Sequence, residues 1–167
     1  MRSSSRAYAA GASKNLIRVA VGPVMYALKV SRIREIVNPL PIIELPRERE
    51  FVLGVADYRE EVVVVVDLRS LFGLEYQAPT RKSKWIILES DHRLVGIVVD
   101  SVLDVFSSSA QPERAVPALD ERHEQRGIRS AYKHGNELVF LLDADRLAEP
   151  AMRLERDEIS LLPSEAP

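Results

Sequence analysis

The sequence predicts an all-β protein of two small barrels, each of about five short strands with short helical turns between them. Three observations carry this. Short β-branched and aliphatic runs recur along the chain, divided by glycine, proline and charged turns. One of them, Val62–Val66, is an unbroken run of valine, stiff at χ1 and too short to read as a helix. A residue pattern in the first half also returns in the second, which makes the unit a repeat. Closing each set of strands into a barrel removes most open sheet edges.

Composition narrows the function classes. A chain of 167 residues is one domain on the length prior and is long enough to bury a core. With 46% hydrophobic and 29% charged residues it has the balance of a soluble globular protein. A formal net charge of −2, from 23 basic and 25 acidic residues, gives no long-range pull toward nucleic acid or anionic lipid. The absence of cysteine excludes disulfides and thiolate metal sites. His92, His123 and His134 lie in polar surroundings with no second ligand at metal spacing, so they read as surface loop residues and no metal or other cofactor is expected.

Taken in order, residues 1–14 are small and polar and read as a disordered leader, with no run long enough for a signal peptide or membrane span. Order begins near Asn15. Leu16 to Val21 is a strand, Gly22-Pro23 a turn, and Val24 to Val30 a second strand that continues through Ser31 to Val37. Pro39, Pro41 and Pro46 exclude helix and central strand, so this stretch is an extended crossing segment. Phe51 to Val55 leads to a charged turn, Arg59-Glu60-Glu61. The valine run that follows lacks alternation, which predicts cover on both faces. Asp67 reads as the N-cap of a helical turn ending at Gly73.

After a polar link with Pro79, Lys84–Ser90 and Arg93–Val99 form a hairpin about Asp91-His92. Val102–Phe106 is another short strand. Ser107–Arg126 is loop-like and long for a structureless connection. Gly127–Lys133 and Glu137–Leu142 make a further hairpin about His134-Gly135-Asn136. Asp143 starts a last helical turn. The tail, 150–167, has apolar residues without clear period, which leaves open a docked helix or a frayed end.

The repeat is explicit. Tyr26 to Ile36 matches Val95 to Val105 at a constant offset of 69, with Glu35 over Asp104. Val62 to Asp67 and Leu71 match Leu138 to Asp143 and Leu147 at an offset of 76. The seven additional residues fall in the long second-half loop. The repeat divides the domain, 15–149, into halves of about 15–80 and 84–149.

These residues resemble the CheW-like family of bacterial chemotaxis coupling proteins. The resemblance rests on Tyr26-Ala27-Leu28, Val30, Ile33, Glu35 and Ile36, on Phe51 to Val55, on Arg59, and on Val62 to Arg69 with Phe72-Gly73-Leu74. In the second half it rests on Val95 to Val102, Asp104-Val105, Leu138 to Asp143 and Leu147. It implies two SH3-like five-stranded barrels that exchange strands in a way the pattern does not place. It implies a cytoplasmic, non-enzymatic adaptor recruited to membrane-associated receptor arrays. Its partners would be the regulatory domain of a CheA-type histidine kinase and the helical cytoplasmic tip of a chemoreceptor, with no nucleic acid and no membrane insertion.

The resemblance carries Ile33, Glu35, Gly54, Arg59, Val102 and Val105 onto receptor- or kinase-binding positions. Each also has a bland reading. Ile33, Val102 and Val105 suit an ordinary core, Gly54, which the resemblance places at a close approach of chains, suits a β-bulge, and Glu35 a surface ion pair. Arg59 is a solvated turn charge or a fork for carbonyls and carboxylates. The family turn Asn-Leu-Arg-Gly reads Asp57-Tyr58-Arg59-Glu60 here, and glutamate disfavours the positive φ that glycine accepts. This departure admits an alternative, a divergent accessory protein of another chemosensory pathway with one partner surface altered. An enzyme is disfavoured because no nucleophile, base and orienting group come together in the sequence, and Asp67 and Asp143 are explained as paired caps. A nucleic-acid barrel lacks a basic stripe with interleaved aromatics.

Overall fold

Turn chemistry sets the strand boundaries. In the computed structural model, which describes residues 14–46, 50–117 and 127–149, ten strands form. β1 (Asn15–Val21) turns at Gly22, φ 58°, into β2 (Val24–Lys29). A 3-10 turn, Val30–Arg32, then separates β2 from β3 (Ile33–Val37). The sequence reading ran these together as one strand, because the turn holds neither glycine nor proline and its apolar neighbours carry the strand pattern through it. β4 (Val52–Tyr58) and β5 (Glu61–Asp67) form a hairpin, followed by the single helical turn α1 (Leu68–Leu71). β6 (Lys84–Ser90) and β7 (Arg93–Val99) form the next, and β8 (Ser101–Ser107) ends in a 3-10 turn. β9 (Ile128–His134) and β10 (Glu137–Leu142) lead into helix over residues 144–149. The expected leader and tail, and part of the loop after Ser107, lie outside the described residues.

The ten strands make two five-stranded sheets, in the orders β8-β1-β2-β10-β9 and β3-β6-β7-β5-β4. The repeat explains both. Residue offsets make β2 equivalent to β7 and β5 equivalent to β10. The two parallel pairings agree in register, since Tyr26 faces Phe140 where Val95 faces Val64. Each sheet therefore takes a two-strand hairpin from one half and three strands from the other. The division at residues 80–84 marks the repeat but not the sheets: β1 and β2 sit with second-half strands, β6 and β7 with first-half ones.

The sheets are SH3-like but do not close by backbone pairing. No ladder joins β3 to β4 or β8 to β9 among the described residues. Loops cover two of the edges instead. Ile43, in the proline-rich crossing segment, exchanges hydrogen bonds with Val55 of β4 at 2.8 and 3.0 Å. Arg114 does the same with Ala131 of β9 at 2.8 and 2.9 Å, and Ala131 is the repeat equivalent of Val55. Covering an edge in this way removes a template for pairing with other chains.

The valine run is buried on both faces, as its lack of alternation requires. Val64 and Val66 join a core that spans both sheets, with Val19, Leu28, Ile86, Ile97 and Leu142. Val63 and Val65 join a second cluster with Trp85 and Ile87. Val62 is the exception, 73% exposed at the strand's start. The two aspartate caps differ. Asp143 accepts from the backbone N–H of Asp145 and of Arg146, at 3.0 and 3.4 Å. Asp67 occupies the N-cap position, but its buried carboxylate accepts from the Ser70 hydroxyl at 2.8 Å and makes no backbone cap bond.

The glycine missing from the β4–β5 turn leaves a strained hairpin. Arg59 and Glu60 have φ of 46° and 68°, both in the left-handed region. Such turns suit the right-handed twist of the strands but favour Asn-Gly. Asp57 Oδ1 accepts from the Glu60 N–H at 3.1 Å and helps hold the turn. Glu60→Gly is therefore expected to stabilise the fold by about 0.5–1 kcal/mol. A urea midpoint that stays level or falls would contradict this.

Candidate functional site

Glu35 lies on edge strand β3, half-buried, between the exposed Arg34 and Ile36. The β4–β5 turn brings two partners to it. Arg59 forks onto its carboxylate, Nε to Oε2 at 2.8 Å and Nη2 to Oε1 at 2.7 Å. The hydroxyl of Tyr58 donates to Oε2 as well. The Arg59 guanidinium also lies over the Tyr58 ring, 5.7 Å from its centroid. These contacts tie β3 to β4, the two strands at opposite ends of the sheet order, and so finish the barrel with side chains. Arg34 extends the charge network to Glu89 at 3.4 Å and Glu61 at 3.8 Å.

Electrostatics follow the geometry. The Arg59 fork, then the Tyr58 hydroxyl, hold the Glu35 carboxyl at about 2, below its ordinary value. Arg59 is raised in turn, chiefly by its bonds to Glu35. Burial and then the bond to Glu35 push Tyr58 upward. Because Glu35 is depressed in the folded state, its contribution to stability is whole above the ordinary carboxylate range and is lost as pH falls through about 2. A carbon-13 titration of wild type should find Glu35 still ionised at pH 3.5, and Arg59→Ala should move its midpoint upward. An unchanged midpoint would remove the pair from the account.

The constant offsets lead from this cluster to a second one in the other sheet. Glu35 maps onto Asp104 of β8, and Tyr58 maps onto His134 at the end of β9. Asp104 is forked by Arg18 of β1 at 2.8 and 2.9 Å, and His134 Nε2 lies 3.7 Å from it. Arg18 also reaches Glu137 at 2.8 Å. Phe106 stacks on His134 with centroids 4.6 Å apart. His134 is thus a strand residue with partners, not the loop histidine the sequence suggests. Apolar exposure repeats too: Ile36 and Val105 are equivalent and 37% and 54% exposed, as are Val62 and Leu138 at 73% and 47%. Each sheet presents an acid-centred ion cluster with bare aliphatic side chains on the same strands.

Of the six sequence-selected residues, Glu35 and Arg59 are brought together. Ile33 and Val102 are half-buried and pack on the main core. Val105 is exposed, on the other sheet from Glu35. Gly54 has φ 144° and sits at a register shift in β4, against the crossing segment. The register shift agrees with the bulge reading, and the backbone that Gly54 lets approach is that of Ile42 and Ile43 in the same chain. Tyr58, Arg18, Asp104 and His134 were not singled out, although the repeat offset applied to Glu35 marks Asp104.

The comparisons with known proteins agree with this architecture. The family model described as the CheW-like domain matches residues 15–151. The chain belongs to the CheW-like domain family. Among its relatives, chemotaxis protein CheW of Rhizobium meliloti is 26% identical over 132 residues, 79% of this chain and 85% of that one. That of Thermotoga maritima is 27% identical over 124 residues, 74% and 80% of the two chains. The crystal structure of scaffolding protein TtCheW from Thermoanaerobacter tengcongensis superposes with a TM-score of 0.70 at 22% identity. It covers 82% of this chain and 93% of that one, which establishes the shared fold. The CheW-like match takes in all ten strands and both ion clusters.

Proposed function

We propose that this CheW-like chain is a non-enzymatic scaffold that couples chemoreceptors to a CheA-type histidine kinase. The observation that carries the reading is the family match over residues 15–151, which spans both sheets. The relatives named chemotaxis protein CheW support the pathway. The site chemistry supports binding over catalysis. Its charged groups pair with one another in forks at the surface, Arg59 with Glu35 and Arg18 with Asp104. No helix among the described residues is long and apolar enough to cross a membrane.

In this reading the Glu35–Arg59 cluster anchors a receptor tip. A helical hairpin laid in a groove takes apolar contacts plus a few fixed polar groups. Arg59 is already oriented by Glu35 and loses little freedom on docking. Ile33, Gly54, Val102 and Val105 complete the proposed partner surfaces, with Gly54 acting through the backbone it permits. Moderate affinities suffice, because arrays multiply them.

The test is calorimetry with the regulatory domain of a CheA-type kinase from the same genome, with and without a receptor-tip fragment. Wild type should bind both. Arg59→Ala should weaken the receptor tip by about tenfold or more while leaving the kinase domain bound. Binding to neither would remove the function and leave the fold. A second reading, a divergent accessory protein with an altered receptor surface, is favoured by the left-handed Glu60 beside Arg59. Equal receptor-tip binding by wild type and Glu60→Gly would count against it.

A further inference from the structure

The repeat supplies an internal reference for two cavities. One lies beside α1 in the first half, a space of about 500 Å³ bordered by Glu50, Leu53, Ser70, Glu75 and Tyr76. The other lies beside the helix that follows β10, a space of about 160 Å³ bordered by Gly127, Arg129, Asp143 and Arg146. A smaller recess of about 70 Å³ shares Arg129 and Asp143 with it and adds Lys29 and Arg32. At the offset of 76, Leu53 corresponds to Arg129 and Ser70 to Arg146. An aliphatic side chain and a hydroxyl in the first half are thus two guanidinium groups in the second.

Arg129 and Arg146 are both exposed. Neither has an ion pair or a side-chain hydrogen bond among the described residues, whereas Arg18, Arg32, Arg59 and Arg69 are each held by a carboxylate. The acids beside them are already engaged. Asp143 Oδ1 accepts two backbone N–H groups, and Asp145 is held by Arg32 and Ser90. Lys29 adds a third cation to the recess. Among the described residues none of these three cations has a carboxylate partner, Arg129 acting only at longer range on Tyr132, and a guanidinium fork fits a carboxylate with two parallel bonds.

We propose that the cavity of Arg129 and Arg146 is an oxyanion-binding site whose occupant is a carboxylate side chain from an acidic peptide segment of a partner. Free phosphate has the same recognition chemistry but fits less well. The Asp143 carboxylate in the wall opposes a dianion more strongly than a monoanion, and the site opens at the surface, where a side chain can enter. This proposal goes beyond the coupling role and does not depend on it.

The test uses the nitrogen-15-labelled full chain and follows arginine Nε–H signals. The probes are a capped tetraglutamate peptide, capped tetraglutamine, and inorganic phosphate. Tetraglutamate should shift Arg129 and Arg146 saturably, leave Arg59 in place, and have no counterpart with tetraglutamine. Arg129→Leu and Arg146→Ser, which copy the first-half residues, should each weaken tetraglutamate by about tenfold, as the loss of one charge-assisted bond implies. Absence of a saturable shift, or unchanged affinity in both variants, would overturn the site. Saturation by phosphate at lower concentration than tetraglutamate would overturn the assigned occupant.

Discussion

Gly54→Ala is expected to cost this fold about 3 kcal/mol or more, the largest loss of any single methyl addition among its described glycines. Two effects act together. At φ 144° the backbone is in a region that only glycine enters without strain. A Cβ there would also lie 2.2 Å from the Ile43 carbonyl oxygen and 2.9 Å from Ile42 Cγ2. The first of these contacts is with backbone, which cannot rotate away. Relief requires the crossing segment to leave β4, and that breaks both hydrogen bonds between Ile43 and Val55. Gly73 and Gly135 give the control. They also have positive φ, 80° and 62°, but a Cβ meets nothing within 4 Å. Alanine at either should cost about 1 kcal/mol. Urea denaturation of the three variants separates the effects, and equal losses at all three would show that the close approach at Gly54 carries no weight. The same variant bears on function. A lost receptor affinity at Gly54 with intact contacts elsewhere would act through the displaced crossing segment, because the residue has no side chain to offer a partner.

How far the sequence could be read depends on what each signal encodes. The valine run spoke for itself: without alternation both faces had to be covered, and Val63 and Val65 point to one cluster while Val64 and Val66 point to the other. The prolines before Phe51 marked an extended crossing segment, whereas its seat against Gly54 of β4 came only from the structure. The exchange of strands was hidden for a physical reason. A repeat says which strands are alike, and like strands offer the same apolar pattern to any neighbour. β3 pairs with β6, Ile36 facing Ile86, and nothing in its alternation prefers β6 over β1. The turn at Val30–Arg32, which sends β3 to the other sheet, is held by tertiary contacts, Arg32 to Asp145 and to the Glu89 carbonyl. Glu35 and Arg59 were each visible as candidates. That they form one site was not, because they stand 24 positions apart with the crossing segment and β4 between them.

The second large effect concerns how the two sheets are fastened. Asp100, between β7 and β8, accepts from Arg69 Nη1 at 2.6 Å and from the Gly22 N–H at 2.7 Å, both on Oδ2. Gly22 belongs to the turn of one sheet, Arg69 to the helical turn that follows β5 of the other. The repeat equivalent of Arg69 is Asp145, of opposite charge, and it fastens the sheets through a neighbouring position, Arg32. There the carboxylate accepts from Arg32 at the β2–β3 turn and from Ser90 at 2.7 Å. The two differ in exposure. The Asp100 and Arg69 side chains are 29% and 20% exposed, while Asp145 is 62% exposed. Asp100→Ala should therefore cost about 2 kcal/mol, since it strands a backbone donor and a partly buried guanidinium together. Asp145→Ala should cost less, about 1 kcal/mol, because water replaces the carboxylate at Arg32, while the buried Ser90 hydroxyl loses its acceptor. Asp100→Asn keeps an acceptor for Gly22 while removing the charge opposite Arg69, so it should fall between wild type and Asp100→Ala. Denaturation midpoints at pH 7 decide the matter. If Asp100→Ala and Asp145→Ala prove equally mild, side-chain fastening is minor and the sheets are held by their shared apolar core alone. If the predicted order holds, the partly buried fastening is the stronger of two that share equivalent positions at Arg69 and Asp145 with opposite charge.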